Sequence, residues 1–138
     1  MDVFYNKTVT IWNRAESDDV MGSESWFPTV LNDVRLLVSK GRNMATSGLT
    51  EADKAKLHIS TKDLSKEYLE PIEWDKSDDK SKAFTLCQDR DFFTVGDTSS
   101  VVPTDDFYQH MKSNYDGVYM VGNVDTFELI PHLEVGGN

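Results

Sequence analysis

Three histidines, one cysteine and several pairs of adjacent carboxylates are the residues of this chain with the chemistry for catalysis or ligation. His58, His110 and His132 fall at no metal-ligand spacing. Each reads as a solvated side chain: His58 and His132 on the polar faces of expected strands, His110 on a helix away from its apolar stripe. Asp18-Asp19 and Asp78-Asp79 lie in expected loops, where water solvates both partners, and Asp105-Asp106 favour the start of an expected helix, so no catalytic dyad is expected from them. Residues 75–79 (Asp-Lys-Ser-Asp-Asp) have the acid content of a calcium loop but lack the glycine and terminal glutamate of an EF-hand. The single Cys87 excludes an internal disulfide and a cysteine-based zinc cluster. Within the apolar run Phe84-Thr85-Leu86-Cys87 it reads as a buried structural thiol. The sequence has no phosphate-cradling glycine loop, nucleophile elbow or Ser/His/Asp grouping. The expectation is a protein without catalysis, resident metal or cofactor.

The elements that would carry these residues are mostly strands. Residues 8–12 (Thr-Val-Thr-Ile-Trp) put Val9 and Ile11 on one face, and 13–22 read as a polar turn or hairpin tip around Asp18-Asp19. Residues 26–38, starting as early as Ser25, alternate Val34, Leu36 and Val38 with Asp33, Arg35 and Leu37, with a bend or bulge near Pro28. Leu57 and Ile59 alternate around His58. Residues 84–87 and 92–95 suggest a hairpin about the turn Asp89-Arg90-Asp91. A helix is expected over 104–114, with Thr104 as N-cap and Phe107, Tyr108, Met111 and Tyr115 as its apolar stripe. A closing hairpin through 122–125 joins 118–121 to 126–135.

The last of these strands has the clearest pattern. Phe127, Leu129, Pro131, Leu133 and Val135 are apolar, and all the residues between them except Ile130 are polar. That is a half-buried strand. Pro131 cannot donate to a ladder, which points to an edge or a bulge, and an open edge invites another chain to pair with it. Phe127, Leu129, Pro131 and Leu133 are therefore the candidate subunit-edge residues. Two long polar excursions, at about 39–55 and 61–82, interrupt the strands, and excursions of this length in a compact domain are usually either functional or disordered. In the first, Lys40, Arg42 and Lys54 are cations and Met44, Ala45 and Leu49 could dock on a neighbour, so Lys40, Arg42, Asn43, Met44 and Leu49 form the candidate docking arm. In the second, Tyr68, Leu69, Pro71, Ile72 and Trp74 imply that part of it packs. Trp26 and Phe27 read as core residues in preference to an interface anchor.

At 138 residues the chain is expected to form one domain, mainly β: a small barrel or sandwich with one short helix and two long loops. Its hydrophobic fraction of 38% implies a modest core. A net charge of −10 disfavours a grip on nucleic acid or on an anionic membrane, and suits a surface that lies beside DNA without holding it. No run reaches the length of a membrane-spanning helix and no signal peptide is expected, consistent with a reducing cytoplasm.

Residues 6–13 (Asn-Lys-Thr-Val-Thr-Ile-Trp-Asn), 26–38 (Trp-Phe-Pro-Thr-Val-Leu-Asn-Asp-Val-Arg-Leu-Leu-Val) and 91–97 (Asp-Phe-Phe-Thr-Val-Gly-Asp), in that order, resemble the small neck proteins of tailed bacteriophages, the head-closure or stopper components in particular. The ending, 129–137 (Leu-Ile-Pro-His-Leu-Glu-Val-Gly-Gly), is similar to that of minor structural proteins of phages of Gram-positive bacteria. The helix at 104–114 is an addition to the simplest stoppers. The resemblance implies a β-barrel assembled in the host cytoplasm into a homo-oligomeric ring of about six or twelve copies in the virion neck. Its partners would be the portal, the adaptor and tail proteins, with one loop toward the channel helping to retain DNA that passes without sequence-specific binding. A tail terminator is the alternative within that machine, and a soluble ligand-binding β-barrel the alternative outside it.

Overall fold

A computed structural model describes residues 6–15, 25–39, 43–44, 49–50, 54–61, 64, 66–127 and 132–138. Six strands close into an antiparallel barrel: β1 (Lys7–Ala15), β2 (Ser25–Ser39), β5 (Lys54–Ser60), β10 (His132–Gly137), β9 (Val118–Phe127) and β8 (Phe92–Val95), in that spatial order, with β8 pairing back onto β1. The remaining elements are the ribbon strands β3 (Asn43–Met44) and β4 (Leu49–Thr50), a parallel bridge of β6 (Glu67–Tyr68) with β7 (Ala83–Phe84), and helices α1 (Pro71–Lys76) and α2 (Phe107–Asn114). The expected class, mainly β with a barrel, is therefore the observed one.

Alternation sets what fills the barrel. Val9 and Ile11 of β1, Leu57 and Ile59 of β5, Leu133 and Val135 of β10, Phe93 of β8 and Tyr119 and Val121 of β9 form one buried cluster. Phe84 and Leu86, which lie on no barrel strand, join it. Each such large side chain contributes about 1.5–3 kcal/mol by leaving water. Trp12 and Phe92 have the opposite parity and face outward, yet they are buried beneath α2 with Phe107 and Met111. Trp26 packs edge-on to Phe92 with ring centroids 5.2 Å apart, and Phe27 packs on Trp74 at 6.0 Å, so both aromatics serve packing as expected.

β2 serves two neighbours by bending. Its first part pairs with β1 and its last part, from Arg35, with β5. The bend is a bulge: the partners step from Lys7↔Val34 to Val9↔Leu31, and Asp33 takes a left-handed conformation with φ of 57°. Asp and Asn tolerate that region better than β-branched residues, so the Asn-Asp pair supplies the corner. Pro28, expected to mark the bend, instead sits in regular register opposite Trp12.

Several other sequence expectations are corrected. Residues 84–87 and 92–95 do not pair: β7 lies against β6, while β8 lies between β1 and β9. The stretch 126–135 is not one strand, because β9 runs to Phe127 and β10 starts at His132, opposite it. Residues 122–125 are interior to β9 and make no turn. Gly122 is there for close approach, since a Cβ on it would lie 3.1 Å from the Gly136 carbonyl oxygen. α2 starts at Phe107 with Asp106 as N-cap in a left-handed conformation, not at Thr104. Cys87 is half-buried, at the start of the turn that leads to Asp91. Residues 16–24, including Asp18-Asp19, lie outside the described residues.

The second excursion is held down by a buried carboxylate. Asp91 is fully buried, and its oxygens accept from the Asn13 side-chain amide (3.1 Å), the Arg14 and Cys87 backbone N–H groups (3.0 and 2.9 Å) and the Arg90 guanidinium (3.1 and 3.3 Å). Asn13 also pairs with the backbone of Thr85, donating to its carbonyl and accepting from its N–H. Arg90 continues to Asp75 of α1 at 3.0 and 3.2 Å and lies over the Trp74 ring, 5.5 Å from the centroid. Burial pushes the Asp91 carboxyl above the ordinary carboxylate range, and the donors from Arg90, Arg14 and Cys87 act against that push.

Two substitutions test this architecture. A Cβ on Gly137 would lie 2.9 Å from Phe93 Cε1, Phe93 Cζ and Tyr119 Cβ. Gly137→Ala is expected to lower stability by about 1–3 kcal/mol through overpacking, read from urea unfolding midpoints; a wild-type midpoint would refute the tight seam. Asp91→Ala removes the shared acceptor of Asn13, Arg90 and the Arg14 and Cys87 N–H groups and is expected to cost about 3–5 kcal/mol, with a far smaller loss contradicting the role given to this carboxylate.

Candidate functional site

Two places outside the barrel core bring unusual groups together: an arm grown from the β2–β5 hairpin, and a polar cluster on the outer wall of β5 and β10. The arm occupies the first expected loop. The β2–β5 ladder reaches Ser39↔Lys54, and the β3–β4 pairs Asn43↔Thr50 and Met44↔Leu49 continue the same register, four residues forward on one strand for four back on the other. The two short strands therefore keep step with the barrel ladder. β3 and β4 pair with each other and with no barrel strand. Of the candidate arm residues, Asn43 and Met44 lie on β3 and Leu49 on β4, paired with Met44, while Lys40 and Arg42 lie outside the described residues.

The candidate subunit edge is not an edge. β10 is paired on one side with β5 and on the other with β9, and Leu133 is buried in the barrel between Ile59 and Thr126. Phe127 ends β9 opposite His132; Leu129 and Pro131 lie outside the described residues. Barrel closure, which the alternation of one strand cannot reveal, supplies the second partner. The one-sided segment is elsewhere, in the first part of β2, which pairs among the described residues with β1 alone. It carries Pro28, and the Lys66 ammonium donates to the Pro28 carbonyl at 3.1 Å and to Thr29 Oγ1 at 3.2 Å. Pro28 and Lys66 are half-buried here, and a proline and a lysine on a strand edge are devices against strand addition.

On the outer wall, His58 of β5 stands directly opposite Glu134 of β10, and His132 lies two residues before Glu134 on the same face. Glu134 Oε1 is 3.5 Å from His58 Nδ1 and 3.7 Å from His132 Nε2, and the two imidazole planes are parallel within 2° at 6.2 Å. All three side chains are partly shielded, His58 to 14% exposure. His58 Nε2 is buried without a hydrogen-bond partner among the described residues. Burial pushes the His58 imidazole below its ordinary value, with Glu134 pulling the other way. The sequence reading of His58 and His132 as separate solvated side chains is corrected: they meet because β5 and β10 are neighbours, a pairing no sequence spacing encodes. His110 stands apart, exposed on α2.

The acid-rich loop at 75–79 is occupied by the protein's own groups. Asp75 takes Arg90, Asp79 Oδ1 accepts the Ser81 N–H at 3.0 Å, and the Lys80 ammonium donates to the carbonyls of Asp75 and Ser77. Among the described residues, no helix is long and apolar enough to cross a membrane.

Fold and site together define a closed six-stranded antiparallel barrel with a β-arm and a helix packed on its outer wall. The chain belongs to the Family of unknown function (DUF6751), whose model matches residues 4–138. No curated protein and no solved structure matches it.

Pro28→Val combined with Lys66→Ala should unblock the one-sided segment of β2. The double variant is expected to self-associate more strongly as concentration rises, measured by light scattering; an unchanged mass would show that this edge needs no guard.

Proposed function

We propose that this chain is a structural component of a tailed-phage neck, most nearly a head-closure protein. It would form a ring below the portal and adaptor and help retain packaged DNA. The observation that carries this reading is the arm: a ribbon in register with the barrel hairpin, whose outer backbone edges are unpaired by any barrel strand. Such edges are suited to pairing with a neighbouring subunit or docking on a portal-side partner. The barrel is the rigid body that holds the arm, and the net charge of −10 keeps the surface from gripping DNA that passes nearby. The order of segments shared with stopper proteins supports the same reading.

In this reading the arm, not β10, makes the ring contact. The work is mechanical, with no catalytic step. A soluble ligand-binding barrel needs interior space, and here Ile11, Leu57, Ile59, Phe93 and Val135 fill the interior with fully buried side chains.

The test is co-sedimentation of the purified chain with DNA-filled, tailless heads that carry portal and adaptor. Binding at about six or twelve copies per head with reduced DNA leakage is the expected result. Deletion of 43–50 should leave the barrel folded, with wild-type circular dichroism, and abolish both effects. Capture by isolated tails alone would replace the stopper reading with a tail terminator, and binding to neither would end the neck assignment.

A further inference from the structure

His58 and His132 converge on one carboxylate oxygen of Glu134 at distances of an ion pair, longer than a direct hydrogen bond. An imidazole N–H donating to a carboxylate settles at about 2.7–3.2 Å. Glu134 Oε1 instead stands 3.5 and 3.7 Å from its two imidazole nitrogens. One ligand atom from each of the three residues lies within 4.8 Å of the other two. When three ligands surround a tetrahedral ion at bond lengths of about 2.0–2.2 Å, neighbouring ligand atoms are separated by roughly 3.4 Å. The two carboxylate–imidazole spacings are already close to that value, and the imidazole nitrogens, within 4.8 Å of each other, would close to it by side-chain rotation.

The scaffold under these groups is rigid. His58 and Glu134 are cross-strand partners in the β5–β10 ladder, and Leu57, Ile59, Leu133 and Val135, which flank them, are buried in the barrel. Their Cβ positions are therefore set by the ladder, and binding an ion requires changes in χ angles alone. The side chains are partly shielded, which removes competing water from the donors without closing the site.

We propose that His58, His132 and Glu134 form a binding site for a transition-metal dication of the Zn²⁺ class. Two imidazoles and one carboxylate are the donor set of three-ligand zinc sites, whose fourth position stays open. The set is too rich in nitrogen for Ca²⁺ or Mg²⁺, which take oxygen ligands. The ion would clip β10 to β5 on the outer wall, and the open position would take water or a donor from a second molecule. This site is independent of the neck reading and stands or falls separately.

The experiment is calorimetric titration of the tag-free full chain with ZnCl₂, and with MgCl₂ as control, alongside thermal unfolding at rising Zn²⁺. The expected result is one Zn²⁺ per chain at micromolar or tighter affinity, no Mg²⁺ binding, and a Tm that climbs with the logarithm of Zn²⁺ concentration. His132→Ala and Glu134→Gln, both on the outer wall, should fold as the wild type does and weaken Zn²⁺ binding by more than about 100-fold. Unchanged affinity in both folded variants would place any bound zinc elsewhere and overturn the proposal. So would an absence of wild-type binding at millimolar Zn²⁺. Should His132→Ala fail to fold, loss or retention of the one-site isotherm in Glu134→Gln decides the question alone.

Discussion

The buried carboxylate of Asp91 is the interaction on which the outer parts of this molecule depend. It stands immediately before β8, the strand that closes the barrel onto β1, and takes donors from Asn13 and Arg14 of β1 and from Cys87 and Arg90 beside it. A carboxylate removed from water must be matched by donors, and donors so placed cannot move without leaving it unmatched. Through Arg90 the same constraint reaches Asp75 and the Trp74 ring. The excursion that carries α1 is thereby fixed to the barrel by polar contacts as well as by the burial of Trp74, Ala83 and Phe84.

The barrel itself rests on apolar packing in two shells. Inside, aliphatic and aromatic side chains of alternate parity fill the lumen; outside, Trp12, Phe92, Phe107 and Met111 bury one wall beneath α2. β1 is consequently buried on both faces, although its sequence alternates, because a second layer covers its outward side. The opposite wall, built by β5 and β10, has no such cover among the described residues and is where the polar groups collect. One wall is thus covered by a second apolar layer, and the other carries the polar groups His58, His132 and Glu134.

The arm and the outer-wall cluster share an origin in strand pairing. The β3–β4 pairs of the arm keep the same numerical register as the β2–β5 ladder, and the cluster exists because β5 is flanked by β10. β5 therefore connects the two features, with its early residues leading to the ribbon and His58 at the cluster. Of the two outer-wall histidines, His58 is carried on the same hairpin as the arm, and His132 is brought to it by β10.

The strand character of 8–12, 26–38, 56–60 and 132–135, the Phe107 and Met111 part of the α2 stripe and the mainly β class were legible from residue order alone, because period-two and helical alternation are local properties of a chain that must hide one face. The arm was legible as a functional candidate for the same reason: a long polar interruption between two good strands. Residues 13–15, read as part of a polar turn, instead continue β1, and Tyr115, read as part of the stripe, is exposed at the helix end. Partner choice was not legible. That β10 is central and not an edge, that β7 joins β6, and that the chain bends at Asp33 and not at Pro28 all depend on closure of the sheet, which is a global condition. Trp74 looked like one aromatic in a polar excursion until Arg90 and Asp75 located it. The three residues of the outer-wall cluster were each visible, yet their meeting was not. Sequence spacing reports neighbours within an element, whereas the β5–β10 ladder, set by packing of the whole barrel, brought His58 to His132 and Glu134.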